Sequence, residues 1–315
     1  MMFNHLVIGI VLAWFLHLGC INDFGLGFLF DEPSVSAPVV RATVPNPDPF
    51  DLIQAAQKER ELLAEVDRNP SLEVSSDLAL LELILGKTED AIARLEELLK
   101  GNPDEYHVLA NLGTAYEISG RSAEALRMIE RAYEVNPRSH LGSEWIHVNL
   151  LRRKVATPGD GSSSYGHSYA GLDFGSDFVP RYNRSSSADN APTSVADLRN
   201  HLRRQLNERR KFVRGPDPVV ASLMFDLGNA VAVISPGDSL PFFGEAEKLG
   251  FGNTSMLSRR MKFAYGVRSQ RWWDRQTQLM PRYVAIAVLV FVIGLGARVI
   301  VRRLAKASAS RGEAV

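Results

Sequence analysis

The 315-residue sequence lacks the residue patterns on which most enzymatic chemistry depends. It contains no serine, histidine and aspartate set with a supporting motif and no paired-carboxylate signature. Its one cysteine, Cys20, lies in an apolar run, so it excludes an intramolecular disulfide bond and offers no nucleophile outside that run. We therefore expect no enzymatic activity, no catalytic or cofactor-binding residues, and no bound cofactor.

Metal ligands are also scarce. His140 and His147 are seven residues apart and could share one face of a helix. A zinc site would need further cysteine, histidine or carboxylate ligands nearby, and none is convincingly placed. We expect two solvated histidines and no metal site.

The formal net charge is zero, but the two halves of the chain carry opposite charge. Residues 1–150 contain 11 basic and 23 acidic side chains, whereas residues 151–315 contain 25 basic and 13 acidic ones. Such an asymmetry indicates a partner or a membrane surface.

One pattern recurs in residues 72–105 and 106–139, at a spacing of 34. The recurring pairs are Gly86 and Gly120, Ala91 and Ala125, and Pro103 and Pro137. Glycine tolerates the left-handed backbone that follows a helix, and proline cannot continue a helix. A period near 34 residues, with two helices in each unit, is typical of an α-solenoid.

The repeated pattern resembles the tetratricopeptide (TPR) repeat. In the second unit the resemblance is carried by Leu112, Gly113, Tyr116, Ala125, Ala132 and Pro137. The first unit matches at Leu78, Ala79, Gly86, Ala91, Leu95 and Pro103, but Glu82 replaces the aromatic residue and Leu98 the second alanine. The resemblance covers residues 72–139. It implies an all-α solenoid of helical hairpins, in which small residues let paired helices approach closely.

Other segments extend these repeats. Residues 50–156 are predicted to form the TPR helical domain, with a capping helix at 140–154. A flexible Gly/Ser-rich insertion is expected at 157–194, with an apolar stretch at 171–175 that can dock on the core. Residues 195–265 are predicted to form a basic helix and a divergent TPR-like hairpin around Leu227 and Gly228.

Both ends of the chain suggest contact with a membrane. Residues 283–301 are apolar enough for a transmembrane helix, after a juxtamembrane segment at 266–282 and before a basic tail at 302–315. Residues 1–22 suit a signal peptide or signal anchor, and a lipid on Cys20 stays open. Residues 23–49 are predicted to be a Pro-rich linker. We expect the main domain on the periplasmic or extracytoplasmic side of the cell membrane.

In the TPR family the first helices of the repeats line a concave groove that binds a partner. The resemblance places nine residues there: Glu73, Ser76, Leu80, Ile84, His107, Ala110, Asn111, Thr114 and Glu117. Ser76 and Leu80 stand where some members carry the lysine and asparagine of a carboxylate clamp, so we do not expect binding of a terminal carboxylate. The acidic and apolar groove suits a basic or amphipathic segment, including the basic half of this chain.

The predicted basic helix offers a second contact surface. Its cationic residues are Arg203, Arg204, Arg209, Arg210 and Lys211. They are either a solvated face or a contact for anionic lipid or for the acidic repeats. We expect a membrane-anchored TPR scaffold that mediates protein–protein interaction in a bacterial envelope. The alternatives are a structural tether that uses the basic helix on lipid and an accessory subunit of an envelope enzyme. Nucleic acid is not an expected partner.

Overall fold

The computed structural model describes residues 49–157, 168–213 and 215–312, and within these ranges the chain forms helices and no β-strand. The predicted all-α class is thus confirmed for the described residues. The helices are α1 (Pro49–Arg68), α2 (Leu72–Ile84), α3 (Thr88–Gly101), α4 (Tyr106–Ile118), α5 (Ser122–Val135), α6 (Ser139–Gly142), α7 (Trp145–Ala156), α8 (Val195–Phe212), α9 (Pro218–Ile234), α10 (Leu240–Lys248) and α11 (Thr254–Gly312). The predictions for Cys20, residues 1–22 and most of the linker at 23–49 lie outside the described residues.

Two helical hairpins, α2–α3 and α4–α5, form the repeats. Gly86 and Gly120 end the first helix of each with the same backbone angle, φ +82°. Pro103 and Pro137 follow the second helices, and the side chains that pack the hairpins are buried: Ala91, Leu112, Tyr116, Ala125 and Ala132. A helical TPR-like repeat fold is therefore present.

A third hairpin, α9–α10, lies where the sequence predicted a divergent repeat. Asp217 caps α9 by accepting a hydrogen bond from the backbone N–H of Val220 at 2.8 Å, and Pro218 occupies the first turn. A Cβ atom added to Gly228 would lie 2.6 Å from the ring of Phe243. In α4–α5, a Cβ atom added to Gly113 would likewise lie 2.6 Å from the side chain of Ile129. In both hairpins, glycine thus lets the second helix pack closely against the first.

The described part of the predicted linker, residues 168–194, belongs to the core. Tyr169, Ala170, Leu172, Phe174 and Ala191 are all buried in the main hydrophobic cluster. The docking expected for residues 171–175 is observed, and the packed segment extends well beyond them. The prediction of a flexible linker was therefore wrong for these residues. It relied on the Gly/Ser-rich composition of 157–194 and gave too little weight to the apolar side chains spaced along this irregular backbone.

The chain divides into two compact units, the first ending at Ala264 and the second beginning at Tyr265. Helix α11 contains Pro281 and is continuous over Thr254–Gly312. Between Thr254 and Leu295 it includes an apolar window of mean hydropathy 1.9 with no buried residue. Among the described residues, α11 is the helix that is long enough and apolar enough to cross a membrane. The predicted span at 283–301 lies within α11, and its crossing of a membrane stays a prediction.

Candidate functional site

Helix α8 packs mainly against α9, and its C-terminal part contacts the predicted groove of the repeats. Ser194 caps its start by accepting a hydrogen bond from the backbone N–H of Asp197 at 3.3 Å. Leu198, Leu202 and Leu206 recur every fourth residue and are fully buried, which gives the helix one apolar stripe. At its end, Phe212 packs against the cluster that contains Leu80 and Ile84. The contact between the groove and the basic half of the chain, expected from the sequence, is therefore observed.

Most of the nine predicted groove residues are consequently covered. Those that are buried are Ser76, Leu80, Ile84, Ala110, Asn111 and Glu117. His107 and Thr114 are partly buried, and Glu73 is exposed. Much of the groove along α2 and α4 is therefore covered within the chain, and its binding of a partner stays a prediction.

Glu117 is the centre of a buried ion network that joins α4 to α7 and α8. Its carboxylate lies 2.8 Å from His147 Nε2, 2.6 Å from Lys154 Nζ and 3.3 Å from Arg209 Nη1, and it also pairs with Arg209 Nη2. Burial alone would raise the pKa of Glu117, but the three cationic side chains hold it well below its ordinary value. The acidic group offered by the groove is thus neutralised within the chain.

The side chain of His147 is only 11% exposed and lies between two carboxylates. Burial lowers its pKa, but hydrogen bonds to Glu117 and Glu144 outweigh that effect and raise the pKa to about 9. Glu144 also lies 3.3 Å from His140 Nε2. The expectation of two solvated histidines is therefore wrong, since both side chains pack among carboxylates.

The backbone is unusual beside this network. His140 and Leu141 have φ values of +49° and +56°, in the left-handed region that side chains other than glycine rarely adopt. A hydrogen bond from Ser143 Oγ to the His140 carbonyl, at 2.8 Å, helps hold the turn. Strained backbone persists where the surrounding contacts over-determine it, and it concentrates at functional sites.

A cavity of about 220 Å³, the groove cavity, lies at the junction of α4, α7 and α8. Of the predicted groove residues it is lined by Ala110, Asn111, Thr114 and Glu117. Its other walls include Ile118, Phe212 and Val213, which are apolar, and Glu208. A dry cavity of about 150 Å³ is enough to hold benzene, so this one has room for a single side chain.

Glu208 lines that wall with an unsatisfied carboxylate oxygen. Its Oε1 atom is buried without a hydrogen-bond partner, while Oε2 lies 3.5 Å from Lys211 Nζ. Burial raises the pKa of Glu208 to about 7, against the lowering effect of Lys211. An unsatisfied acceptor in a cavity of this size favours a ligand that donates hydrogen bonds.

The basic residues of α8 do not form the open cationic surface that the sequence suggested. Arg203, Arg204, Arg209 and Lys211 are partly buried, and Arg210 is buried. Arg209 pairs with Glu117, and Lys211 with Glu208. These residues turn inward because α8 lies inside the fold, which disfavours the lipid-contact alternative.

Several residues of the site escaped the sequence analysis, namely Glu144, Lys154, Gln205, Glu208 and Asp217. Glu144 had a usable signal, because it lies four residues after His140 and three before His147, on one face at helical spacing. The others depend on how α7 and α8 pack against α4. Within the described ranges, no group of three or more histidine, cysteine, aspartate or glutamate side chains is arranged to hold a metal ion.

Comparison with known proteins yields one family. Residues 50–144 match the model of the bacterial transcriptional activator domain. This range covers α1 to α6 and ends at Glu144, one residue before α7. No curated protein matches the chain significantly.

Proposed function

We propose that this chain is a membrane-anchored, non-catalytic scaffold of the tetratricopeptide type that holds a protein partner at the bacterial envelope. The observation that carries the proposal is the groove cavity. The C-terminal part of helix α8 lies against the concave face that other repeat proteins offer to an extended partner, and the groove cavity lies between the two. Recognition is therefore concentrated on one inserted side chain.

The chemistry of the cavity indicates which side chain this is. Glu208 Oε1 has no donor, and Ile118, Phe212 and Val213 supply an apolar rim. A lysine or arginine can pack its aliphatic stem on such a rim and bring its charged end to Glu208. The partner is accordingly a protein segment with a basic anchor residue.

Photo-crosslinking in cells tests this function. A photoreactive amino acid at Ile118, which lines the cavity and is partly exposed, is expected to yield a discrete adduct with one protein. Glu208→Gln keeps the shape but removes the charge, and should reduce adduct yield at least tenfold, since truncating a buried charge pair costs about 2–5 kcal/mol. Glu97→Gln, on the exposed surface of α3, is the matched control. Equal adduct yield in both variants would argue against the proposal.

The family match favours a second candidate, a membrane-tethered module of a transcriptional regulator. That role requires the repeats on the cytoplasmic side, whereas an envelope scaffold exposes them outside the membrane. Protease digestion of intact spheroplasts distinguishes the two. Digestion of residues 49–264 supports the envelope scaffold, and protection until the membrane is opened supports the transcriptional role.

A further inference from the structure

A second cavity, the loop cavity, lies between residues 168–187, helix α9 and the first turns of α11. Its volume is about 800 Å³. Pockets for small molecules commonly measure about 300–1,000 Å³ and combine apolar walls with a few placed polar groups. The loop cavity has this composition, with Phe225 and Phe251 beside Asp226, Asn229 and Arg260.

One wall of the loop cavity is a polar stripe on an otherwise apolar helix. Ser222, Asp226 and Asn229 follow each other at intervals of four and three residues on α9, and all three are buried. Asp226 accepts a hydrogen bond from Ser168 Oγ, whereas Asn229 Oδ1 has no hydrogen-bond partner. A buried acceptor without a donor costs about 1–3 kcal/mol. The stripe therefore presents oxygen acceptors that a ligand could satisfy.

Arg260 holds another part of the lining in place. The residue is only 1% exposed, and its terminal nitrogens donate to the carbonyl oxygens of Phe174 at 3.1 Å and Gly175 at 2.6 Å, and also to that of Asp177. The arginine thereby holds the irregular segment in place and makes the wall preorganised. A preformed site loses less conformational entropy when a ligand binds.

Aromatic rings complete the lining. The rings of Phe225 and Phe251 stack with centroids 4.2 Å apart and an interplanar angle of 17°. The faces of aromatic rings attract cations as well as apolar groups. The stacked pair gives the apolar body of a ligand a wall to pack against.

We propose that the loop cavity binds an organic amine, with Asp226 and Asn229 accepting hydrogen bonds from its ammonium group. An ammonium donates up to three hydrogen bonds and accepts none. It therefore satisfies Asn229 Oδ1 and can also donate to the carboxyl oxygens of Asp226. A purely apolar ligand would leave these oxygens without a donor. Phe225 and Phe251 would contact the apolar body of the amine.

Calorimetry on the full chain in lipid nanodiscs tests the proposal. The probes are phenethylamine and 2-phenylethanol, which share an aromatic body but differ in the ammonium group. We expect saturable binding of phenethylamine at one site, with 2-phenylethanol at least tenfold weaker. Equal affinities for the two, or no binding of any amine, would overturn the proposal.

Variants assign the binding to the polar stripe. Asp226→Asn keeps the shape of the side chain and should weaken phenethylamine binding at least tenfold, whereas Glu97→Gln, on the exposed surface of α3, should leave it unchanged. Because Asp226 is buried, Asn229→Ala provides a second variant with the same expected direction. Spermidine, tested alongside, distinguishes the source: tighter spermidine binding identifies a polyamine site, and tighter phenethylamine binding an aromatic amine site. Unchanged affinity in both stripe variants would sink the assignment.

Discussion

Gly113 and Gly228 occupy the points where two helices of a hairpin approach most closely. At either position an added Cβ atom would lie 2.6 Å from a fully buried neighbour, Ile129 or Phe243. Real Cβ contacts are not this short, so the neighbour would have to move within a packed core. The glycine of the repeat pattern is thus required by helix spacing and not by a special backbone angle.

Gly113→Ala is expected to destabilise the chain by about 1–3 kcal/mol, the usual cost of overpacking a core. Ile129→Val removes one of the two clashing carbon atoms, so the double variant should lose less stability than the sum of the single variants. The measurement is the free energy of unfolding in denaturant.

Gly244→Ala is the matched control for this prediction. Gly244 also lies in a helix, but a Cβ atom added there has no neighbour within 4 Å. Alanine is favoured over glycine in helices by about 1 kcal/mol, so this variant should be unchanged or more stable. Equal destabilisation at both positions would contradict the packing argument.

His147 should make stability depend on pH. Its pKa is about 9 in the folded chain and 6.5 in the unfolded chain, because Glu117 and Glu144 stabilise the charged ring. The folded state therefore keeps the proton above pH 6.5 while the unfolded state loses it. Its contribution is full below pH 6.5 and is lost as pH rises to 9, a decrease on the order of 3 kcal/mol.

The check is the free energy of unfolding measured across that pH window. His147→Gln retains hydrogen-bonding capacity without a titrating ring, so its stability should fall less steeply between pH 6.5 and 9. The variant for comparison is His107→Gln, because His107 is only partly buried beside Glu105. Parallel curves for wild type and His147→Gln would show that the ring does not carry the effect.

At the scale of the element, α8 shows what a sequence can and cannot predict. Its boundaries and its apolar stripe at Leu198, Leu202 and Leu206 follow from capping and periodicity. Its position does not, because a cationic helix can face solvent, lipid or an acidic groove with the same periodicity. The partner of Arg209 is Glu117, 92 residues earlier, and a pairing at that separation has no local signature.

Removing Arg209 should loosen α8 from the repeats. Arg209→Met leaves the buried carboxylate of Glu117 with fewer cations, and breaking a buried ion pair costs about 3–5 kcal/mol. Adding Glu117→Gln removes the uncompensated charge, so the double variant should recover part of that loss. A double-mutant cycle in denaturant measures the coupling.

Arg152 and Glu130 provide the control pair, because they form an ion pair on the exposed surface. Arg152→Met should change the free energy of unfolding by no more than about 1 kcal/mol. If Arg209→Met were equally mild, the network would not hold α8 in the groove.

Across the whole molecule, the features that depend on local interactions could be predicted from the sequence, and those that depend on contacts between distant residues could not. The helices, the two repeats and the apolar stretch in α11 depend on local patterns, and all of these are present in the described residues. The burial of residues 168–194 and the two cavities depend on contacts across the first unit. The groove residues show the same limit: family geometry placed them correctly on α2 and α4 but contained no information about α8, and their binding of a partner stays a prediction.

Helix α11 supports a prediction about the topology of the whole chain. If its apolar window crosses the membrane, the repeats and a tag placed after Val315 should lie on opposite sides. Each charged residue at the centre of a span costs about 2.5–3.5 kcal/mol, so Val288→Asp combined with Phe291→Asp should stop insertion and leave both on one side. Protease accessibility of the repeats and the tag, before and after the membrane is opened, measures this. The control is Gln276→Asp combined with Gln278→Asp, which adds the same charge to α11 outside the apolar stretch. In this variant the repeats and the tag should still lie on opposite sides of the membrane. Repeats and tag on one side in the unaltered chain would exclude a membrane-spanning α11, whatever the N-terminal residues do.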